Sequence, residues 1–355
     1  MENWQPLAAT TLIGSMPHRD RDKVIELILR AFPEVPVWPQ LPSFPPEQMM
    51  IQYLEGLPGI REEQGRVFMQ ADAPEFEQEM VKFYEAYLEV EEGLREVDGS
   101  KFGMGPETGR TFFQFLAKLN RAAPSFRALK GQIVGPFTLL TTLKDQQDRA
   151  LIYNEQLVDV VVKHLALKAK WQIRQLRSFG CPVIVFLDEP ALAGFGSSAF
   201  IAISEALVKS LLQEVVDAIH QAGAFAGVHI CANTDWDLVF KTGVDIINFD
   251  AFNYFEKFAL YRESFLKFME QGHIVAWGMI PTNDPNLILG ETSESLANLW
   301  LERIEELVTP SVPRSTILSQ SLFTPSCGCG CLSEIAAERV VQLTNELGHI
   351  LRSCL

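Results

Sequence analysis

A histidine and a cysteine separated by one residue form the most informative pair in this chain, and another cysteine, Cys327, lies far downstream. His229 and Cys231 follow the apolar run 224–228, which is typical of a β-strand. Residues i and i+2 of a strand point to the same side, so the imidazole and the thiol can reach one ion together. Zinc prefers nitrogen and sulfur ligands in a tetrahedron. The pattern predicts a zinc site at His229, Cys231 and Cys327 that keeps one position for a substrate.

Each of these residues also has an ordinary structural explanation. One alternative is that His229 is a core imidazole bonded to a backbone carbonyl and that Cys231 is a small buried apolar residue. Cys327 begins the run Cys-Gly-Cys-Gly-Cys, whose glycines let the backbone fold around an ion. Cys329 lies two residues after Cys327, so in an extended segment it would point to the same side, and it is the second choice as the ligand. An iron–sulfur or redox role for this run is a further alternative.

Strands must position these ligands, and strand-like runs alternate with amphipathic helical segments along the chain. Eight runs predict strands, at 10–14, 36–38, 131–134, 182–187, 225–228, 244–249, 274–277 and 316–322. Helices are predicted at 20–31, 80–97, 111–122, 151–178, 204–221, 235–241, from the sixth strand to 271, 293–307 and 333–352. The alternation predicts one α/β domain over residues 1–355, a single (β/α)8 TIM barrel with a long insertion, about 42–124, after the second strand. A doubly wound open sheet is the alternative.

Polar groups follow several of these strands at the end where barrels place their catalytic residues. Asp188 and Glu189 end the fourth strand, and burying two acids there is costly unless they are paired or functional. A helix N-cap before Pro190 is the alternative. Asp250 ends the sixth strand, next to the strand of His229, and is predicted to reach the metal or the groups around it. A helix cap is the alternative for Asp250.

Composition limits the partners. Asp and Glu total 45 against 30 Lys and Arg, a formal net charge of -15, which argues against nucleic acid and against an anionic membrane surface. No apolar run reaches the about 18 residues that span a bilayer, and no export signal is recognised. We expect a cytoplasmic protein whose six cysteines favour metal or redox chemistry over a disulfide framework.

Four motifs together resemble the catalytic half of cobalamin-independent methionine synthase. They are residues 11–17 (Thr-Leu-Ile-Gly-Ser-Met-Pro), 135–138 (Gly-Pro-Phe-Thr), 187–192 (Leu-Asp-Glu-Pro-Ala-Leu) and 324–328 (Thr-Pro-Ser-Cys-Gly). Residues 229–234 (His-Ile-Cys-Ala-Asn-Thr) are also similar to the methylcobamide:coenzyme M methyltransferases of the wider uroporphyrinogen decarboxylase-like superfamily. The resemblance covers nearly the whole chain in scattered motifs.

The resemblance implies a TIM barrel, zinc as the cofactor and methyl transfer to a thiol. His229, Cys231 and Cys327 carry over as ligands, and Asp250 falls where methionine synthases place a zinc-ligating glutamate. Two departures are evident: the full-length enzyme carries a further N-terminal barrel, and its substrate-binding glutamate has no register match, since Glu47 is near but displaced.

The resemblance also implies residues that bind the acceptor. The family's backbone and hydroxyl contacts to its amino-acid substrate map onto Ile13 and Ser15, and its aspartate near the substrate amino group maps onto Asp188. Glu189 completes the predicted substrate-binding set. His18 is a candidate to donate or shuttle a proton, with a surface position as the alternative.

The expected function is that of a zinc-dependent methyltransferase acting on a small, homocysteine-like thiol. The methyl donor is a corrinoid, free or bound to a partner protein, or methyltetrahydrofolate. Three alternatives remain: a methylcobamide:coenzyme M-type methyltransferase, a metal-free decarboxylase acting on a porphyrinogen-like substrate, and a metal- or corrinoid-binding protein without turnover.

Overall fold

The computed structural model describes residues 4–120 and 125–355. Its strands are β1 Ala9–Thr10, β2 Ile60–Glu63, β3 Arg66–Met69, β4 Leu129–Val134, β5 Val183–Asp188, β6 Phe225–Ile230, β7 Ile246–Phe249, β8 Ile274–Ile280 and β9 Ser321–Pro325. Its α-helices are α1 Arg21–Ala31, α2 Phe76–Glu91, α3 Arg110–Leu119, α4 Pro136–Thr142, α5 Glu155–Arg177, α6 Glu205–Gln221, α7 Trp236–Phe240, α8 Ala251–Ala259, α9 Arg262–Glu270, α10 Pro285–Gly290, α11 Ser293–Ile304, α12 Arg314–Ser319 and α13 Glu334–Arg352.

Seven strands form one curled parallel sheet in the order β1-β9-β8-β7-β6-β5-β4, and β2 and β3 form a separate antiparallel pair. The predicted second strand at 36–38 is not a strand in the structure. Its Val37 makes an isolated parallel bridge to Lys130 of β4, and Gln40 makes another to Ser15, beyond β1. The fold is therefore α/β with a seven-stranded parallel sheet, consistent with a TIM-like barrel.

Alternate residues of the strands enter two different apolar clusters, as the two-residue period of a strand requires. In β5, Val183, Val185 and Leu187 pack in the large cluster that includes the helices, whereas Ile184 and Phe186 belong to a smaller one. The smaller cluster contains Ala9, Val35, Ala128, Ile184, Phe186, Ile246, Ile274, Ala276 and Leu322. Because seven of these nine residues come from strands along the curled sheet, the cluster lies on the face of the sheet opposite the larger cluster. Full burial of an Ile or Phe side chain contributes about 1.5–3 kcal/mol.

The last predicted strand, 316–322, is wrong over most of its length. Residues Arg314–Ser319 form α12, and β9 begins at Ser321. A short apolar run does not distinguish a strand from one turn of buried helix. Here the neighbouring side chains of Ile317 and Leu318 are both fully buried, and the Ser321 hydroxyl donates to the Ile317 carbonyl at 2.6 Å.

Side-chain caps decide several helix starts. The long helix predicted from 151 begins at Glu155, because the Asn154 side chain accepts from the backbone of Gln156 and Leu157. A short 3-10 helix, Leu151–Tyr153, precedes it. The antiparallel pair β2–β3 and the helices α4, α10 and α12 were not predicted from the sequence.

The predicted insertion contains two short 3-10 helices, Pro45–Glu47 and Ile51–Tyr53, followed by β2, β3, α2, a third 3-10 helix, Val97–Gly99, and α3. The last residues of the predicted helix 111–122 and of the predicted insertion, at 121–124, lie outside the described residues. The assignment of 42–124 as an insertion, and of 1–355 as one domain, stays a prediction. Across the described part of the chain, the helices are too short or too polar to cross a bilayer.

Candidate metal centre

The three predicted ligands lie together at one end of the sheet. Among the described residues, the donor atoms of His229, Cys231 and Cys327 lie within 4.8 Å of one another. His229 is in β6 and Cys231 follows that strand, whereas Cys327 lies just beyond β9. On a flat sheet the three steps from β6 to β9 would separate the strands by about 14 Å. The curl of the sheet therefore brings these ligands together.

The tautomer of His229 follows from the hydrogen bonds of Asn248 in the neighbouring strand. The amide nitrogen of Asn248 donates to the Ala276 carbonyl at 2.7 Å and to Thr324 Oγ1 at 2.8 Å. Thr324 can only accept, because its hydroxyl donates to the Pro325 carbonyl at 2.9 Å. The Asn248 oxygen is therefore the atom bonded to His229 Nδ1, and it accepts the proton of that nitrogen. A neutral His229 then presents a lone pair on Nε2, as a metal ligand requires.

Nε2 of His229 is buried and has no hydrogen-bond partner among the described residues. A buried polar atom without a partner is costly, by about 1–3 kcal/mol. A metal ion at the centre of the three donors would satisfy this atom. One imidazole nitrogen and two sulfurs are also the donor types that zinc prefers, and three protein ligands are typical of zinc sites that admit a substrate. The residues present therefore fit zinc.

The thiols of Cys231 and Cys327 interact with each other. Hydrogen bonding with the Cys327 thiol, together with His229, lowers the pKa of Cys231 against the opposing effect of burial. The same interaction with Cys231, and then burial, raises the pKa of Cys327. The pair together with the imidazole therefore favours a thiolate, which is the form that binds a metal.

Asp188 and Lys130 are two ionisable residues buried in the interior beside the cluster. Asp188 pairs with His229 across β5 and β6, and its Oδ1 is buried without a hydrogen-bond partner among the described residues. Burial raises the pKa of Asp188 to about 6, while His229 and Lys130 act to lower it. Lys130 is fully buried, and burial lowers its pKa to about 7 against the pull of Asp188.

Both carboxylate oxygens of Glu189 are bonded to the start of α4. Its Oε1 accepts from the Phe137 backbone at 2.9 Å, and its Oε2 accepts from the backbone and the hydroxyl of Thr138 at 2.7 and 2.6 Å. Burial raises the pKa of Glu189 to about 7, while these donors oppose the shift. Gly135 leaves the space for this carboxylate, because a Cβ there would collide with it. The substrate-binding role predicted for Glu189 stays a prediction, and its observed contacts anchor a helix.

Asp250 lies near the cluster, outside the group of three donors. It caps α8, with Oδ1 accepting from the Asn253 backbone at 2.9 Å and Oδ2 accepting from the Asn253 side chain at 2.7 Å. Burial raises the pKa of Asp250, and the charge of Cys231 adds to this effect. The cap expected as the alternative is present, and a contribution of Asp250 to metal binding remains a prediction.

The predicted acceptor-binding residues Ile13 and Ser15 lie on a segment that contacts the Cys327 loop. The Ser15 carbonyl accepts from the Cys329 backbone at 2.8 Å, and a Cβ at Gly328 would collide with Ser15 Oγ. The Ile13 carbonyl accepts from Lys130 Nζ at 2.6 Å. The segment is therefore held between β4 and the loop of a predicted metal ligand.

His18 is fully buried, so the surface position that was its alternative is wrong. Its Nε2 lies 3.6 Å from Glu338 in α13. A catalytic role for His18 stays a prediction. Glu47 is also fully buried, and its carboxylate is bonded to Arg21 at 3.0 Å and to the Thr111 hydroxyl at 2.6 Å. Those contacts give Glu47 a structural role.

The remaining cysteines of the glycine-rich run diverge from Cys327. Cys329, the second choice as the ligand, is 2% exposed and packs in the apolar core, where burial raises its pKa to about 12. Cys331 is exposed. The described structure therefore separates the three cysteines of this run into different environments.

Sequence reasoning missed three residues that support the centre: Lys130, Asn248 and Thr324. A signal was present for Asn248, since it is a polar residue at an alternate position of an apolar strand beside Asp250. Lys130 immediately precedes the predicted third strand and was left outside it. Thr324 begins the motif 324–328, but nothing in the sequence indicates its hydrogen bond with Asn248.

Comparison with known proteins finds similarity to solved structures. No protein-family model matches the chain, and no curated protein matches it significantly. A solved structure of a B12-independent methionine synthase from Shewanella sp. W3-18-1, in complex with selenomethionine, is similar with a TM-score of 0.47 and 20% sequence identity, over 67% of each chain. The functional proposal therefore rests on the side chains of the centre.

Proposed function

We propose that this chain is a zinc-dependent methyltransferase that transfers a methyl group to a small, homocysteine-like thiol. The single observation that carries the proposal is the convergence of His229, Cys231 and Cys327 within 4.8 Å, with the lone pair of His229 Nε2 directed by Asn248. The same residues would hold the metal. Bound zinc supplies Lewis-acid chemistry that favours the thiolate form of a thiol at neutral pH.

The surrounding residues support binding of the acceptor. A free alkyl thiol has a pKa of about 8.5 and is mostly protonated at neutral pH, so a site for methyl transfer must favour its ionised form. Asp188 offers a buried carboxylate oxygen with no partner among the described residues, which suits an amino group on the acceptor. Ser15 and Ile13 lie on the segment that is bonded to the Cys327 loop and to Lys130, and we propose that this segment contacts the acceptor.

The reaction balances without an oxidant. The sulfur–carbon bond of the product forms as the bond between the methyl group and its donor breaks, and the electron pair of the broken bond stays on the donor. With a corrinoid donor the thiol proton is released to solvent, and with methyltetrahydrofolate a proton is taken up by the departing nitrogen. A corrinoid, free or held by a partner protein, and methyltetrahydrofolate are the two proposed donors.

We also propose that the bridges at Val37 and Gln40 complete an eight-position (β/α)8 barrel around the site.

Metal analysis combined with a thiol screen tests the function. Purified protein should contain about one zinc per chain. Homocysteine, coenzyme M and related thiols are then assayed with methylcobalamin and with methyltetrahydrofolate, and we expect a methylated thiol with at least one pair. Bound zinc without methyl transfer to any thiol would favour a metal-binding protein without turnover. Protein without zinc, or with a coloured cluster, would overturn the proposal.

A further inference from the structure

Lys130 is the most unusual charged residue of the interior. It lies in β4, is 0% exposed, and has the side chain of Phe186 below its ammonium at 4.3 Å from the ring centroid. Among the described residues, the one hydrogen bond of Lys130 goes to a neutral group, the Ile13 carbonyl, at 2.6 Å. Burying an ammonium group this way costs free energy that a methionine of similar shape would avoid.

The hydrogen bond of Lys130 fixes a segment that leads to the Cys327 loop. Gly14 follows Ile13 and has φ of 145°, a conformation that favours glycine. A Cβ on Gly14 would lie 2.7 Å from the side chain of Gln132, two residues along β4 from Lys130. Ser15 then accepts from the Cys329 backbone at 2.8 Å. Residues of β4 thus hold the segment 13–15 from the inside while the Cys327 loop holds it from the other side.

The charge of Lys130 also acts on Asp188, which lies in the adjacent strand β5. Asp188 in turn is the register partner of His229. Lys130 therefore contacts one wall of the centre, formed by the segment 13–15, and balances the charge of the other wall, formed by Asp188. A single side chain connects the two walls between which the acceptor would lie.

From these contacts we infer that Lys130 is a positioning residue that sets the spacing and charge of the acceptor-binding walls. The inference rests on the proposed function, since it concerns the binding of a thiol beside the metal. In this role Lys130 contacts neither the metal nor the acceptor. Its loss should weaken thiol binding while leaving metal content unchanged.

The test measures thiol binding on its own, using protein in which zinc is replaced by cobalt. Homocysteine is titrated while the cobalt–sulfur absorption is followed. We expect Lys130→Met to bind homocysteine about 10–100-fold more weakly than the wild type, with unchanged metal content. Lys130→Arg, which keeps a charged donor, should recover part of the affinity.

A second buried lysine provides the matched control. Lys168 in α5 is 2% exposed and also donates to a backbone carbonyl, that of Gly103, at 2.9 Å. Lys168→Met should leave homocysteine affinity unchanged. The melting temperature of Lys130→Met should not fall, because an apolar replacement for a buried charge is often neutral or stabilising.

Equal homocysteine affinity in Lys130→Met and the wild type would overturn the inference and leave the proposed function intact. If Lys130→Met unfolds or loses metal, Lys130→Gln, which keeps an N–H donor without the charge, replaces it, and equal affinity there overturns the inference as well. If homocysteine and coenzyme M both leave the cobalt spectrum of the wild type unchanged, the proposed function fails and the inference falls with it.

Discussion

The side-chain oxygen of Asn248 accepts the Nδ1 proton of His229, and this contact decides which ring nitrogen faces the two cysteines. Asn248 is itself held by two acceptors, Ala276 and Thr324, so its amide group has one orientation. The orientation of the imidazole is therefore set by residues of three neighbouring strands, β7, β8 and β9.

Removal of a ligand should empty the centre. His229→Ala, Cys231→Ser and Cys327→Ser should each lower zinc content well below the about one ion per chain expected of the wild type, because zinc with two protein ligands is weakly held. Zinc is measured by elemental analysis after dialysis. Cys331→Ser is the control, since Cys331 belongs to the same run and is exposed. Equal zinc loss in that control would contradict the assignment.

Asn248→Ala should weaken zinc binding about 10–100-fold, because it frees the tautomer and the ring orientation of His229. Thr324→Val removes one acceptor of Asn248 and leaves the bond to His229 in place, so its effect should be smaller. Competition with a chromophoric zinc chelator gives both affinities. Unchanged zinc affinity in Asn248→Ala would show that the hydrogen bond does not prepare the ligand.

Substitution of Asp250 separates its two roles. Asp250→Ser keeps a good N-cap for α8 and removes the carboxylate, so stability should be preserved while zinc affinity falls, by about 10-fold if the charge supports the metal. Asp250→Ala should additionally lower the free energy of unfolding by about 1 kcal/mol. Chelator competition and urea unfolding provide the two measurements. If Asp250→Ser binds zinc like the wild type, the residue is a helix cap alone.

Gly135→Ala should lower the free energy of unfolding by about 1–3 kcal/mol, because the added methyl group overlaps Glu189. That carboxylate is tied to α4 by three hydrogen bonds and has no free direction in which to move. Gly99→Ala is the control, since a Cβ at Gly99 meets no heavy atom within 4 Å. Urea unfolding of both variants decides the matter, and equal stabilities would refute the overlap.

The stability contributed by His220 should depend on pH. Its Nε2 lies 2.7 Å from Asp245 Oδ2, and this hydrogen bond raises the pKa of His220 in the folded protein. A raised folded pKa gives a contribution that is fully present below the unfolded pKa, about 6.5, and is lost as the pH rises through the folded pKa. The stability difference between wild type and His220→Gln should therefore be larger at about pH 5 than at about pH 8.5.

Unfolding by urea at the two pH values measures this difference. A His220→Gln difference that is the same at both pH values would contradict the ion pair with Asp245.

The sequence by itself was enough to predict the three clustered donor residues, His229, Cys231 and Cys327, and the order of the main elements. His229 and Cys231 share a side because a strand has a period of two, and that local rule needs no tertiary information. The runs that form β4 to β8 were recognisable for a related reason. Strands of a parallel sheet are covered on both faces and read as short apolar runs between helical segments.

Only the tertiary structure decided which long-range partners these residues have. Cys327 meets Cys231 because the sheet curls, and curvature is not encoded in the local pattern of either strand. A surface position was the alternative interpretation of His18, but the side chain is buried beside α13. The burial of a residue depends on the elements that pack against it, and the local sequence does not show them. The strand predicted at residues 316–322 was wrong over most of its length for a similar reason. One turn of buried helix and a short buried strand have the same local apolar composition. The role inferred for Lys130 depends on its hydrogen bond to Ile13 and its electrostatic interaction with Asp188, two residues that are distant from it in sequence.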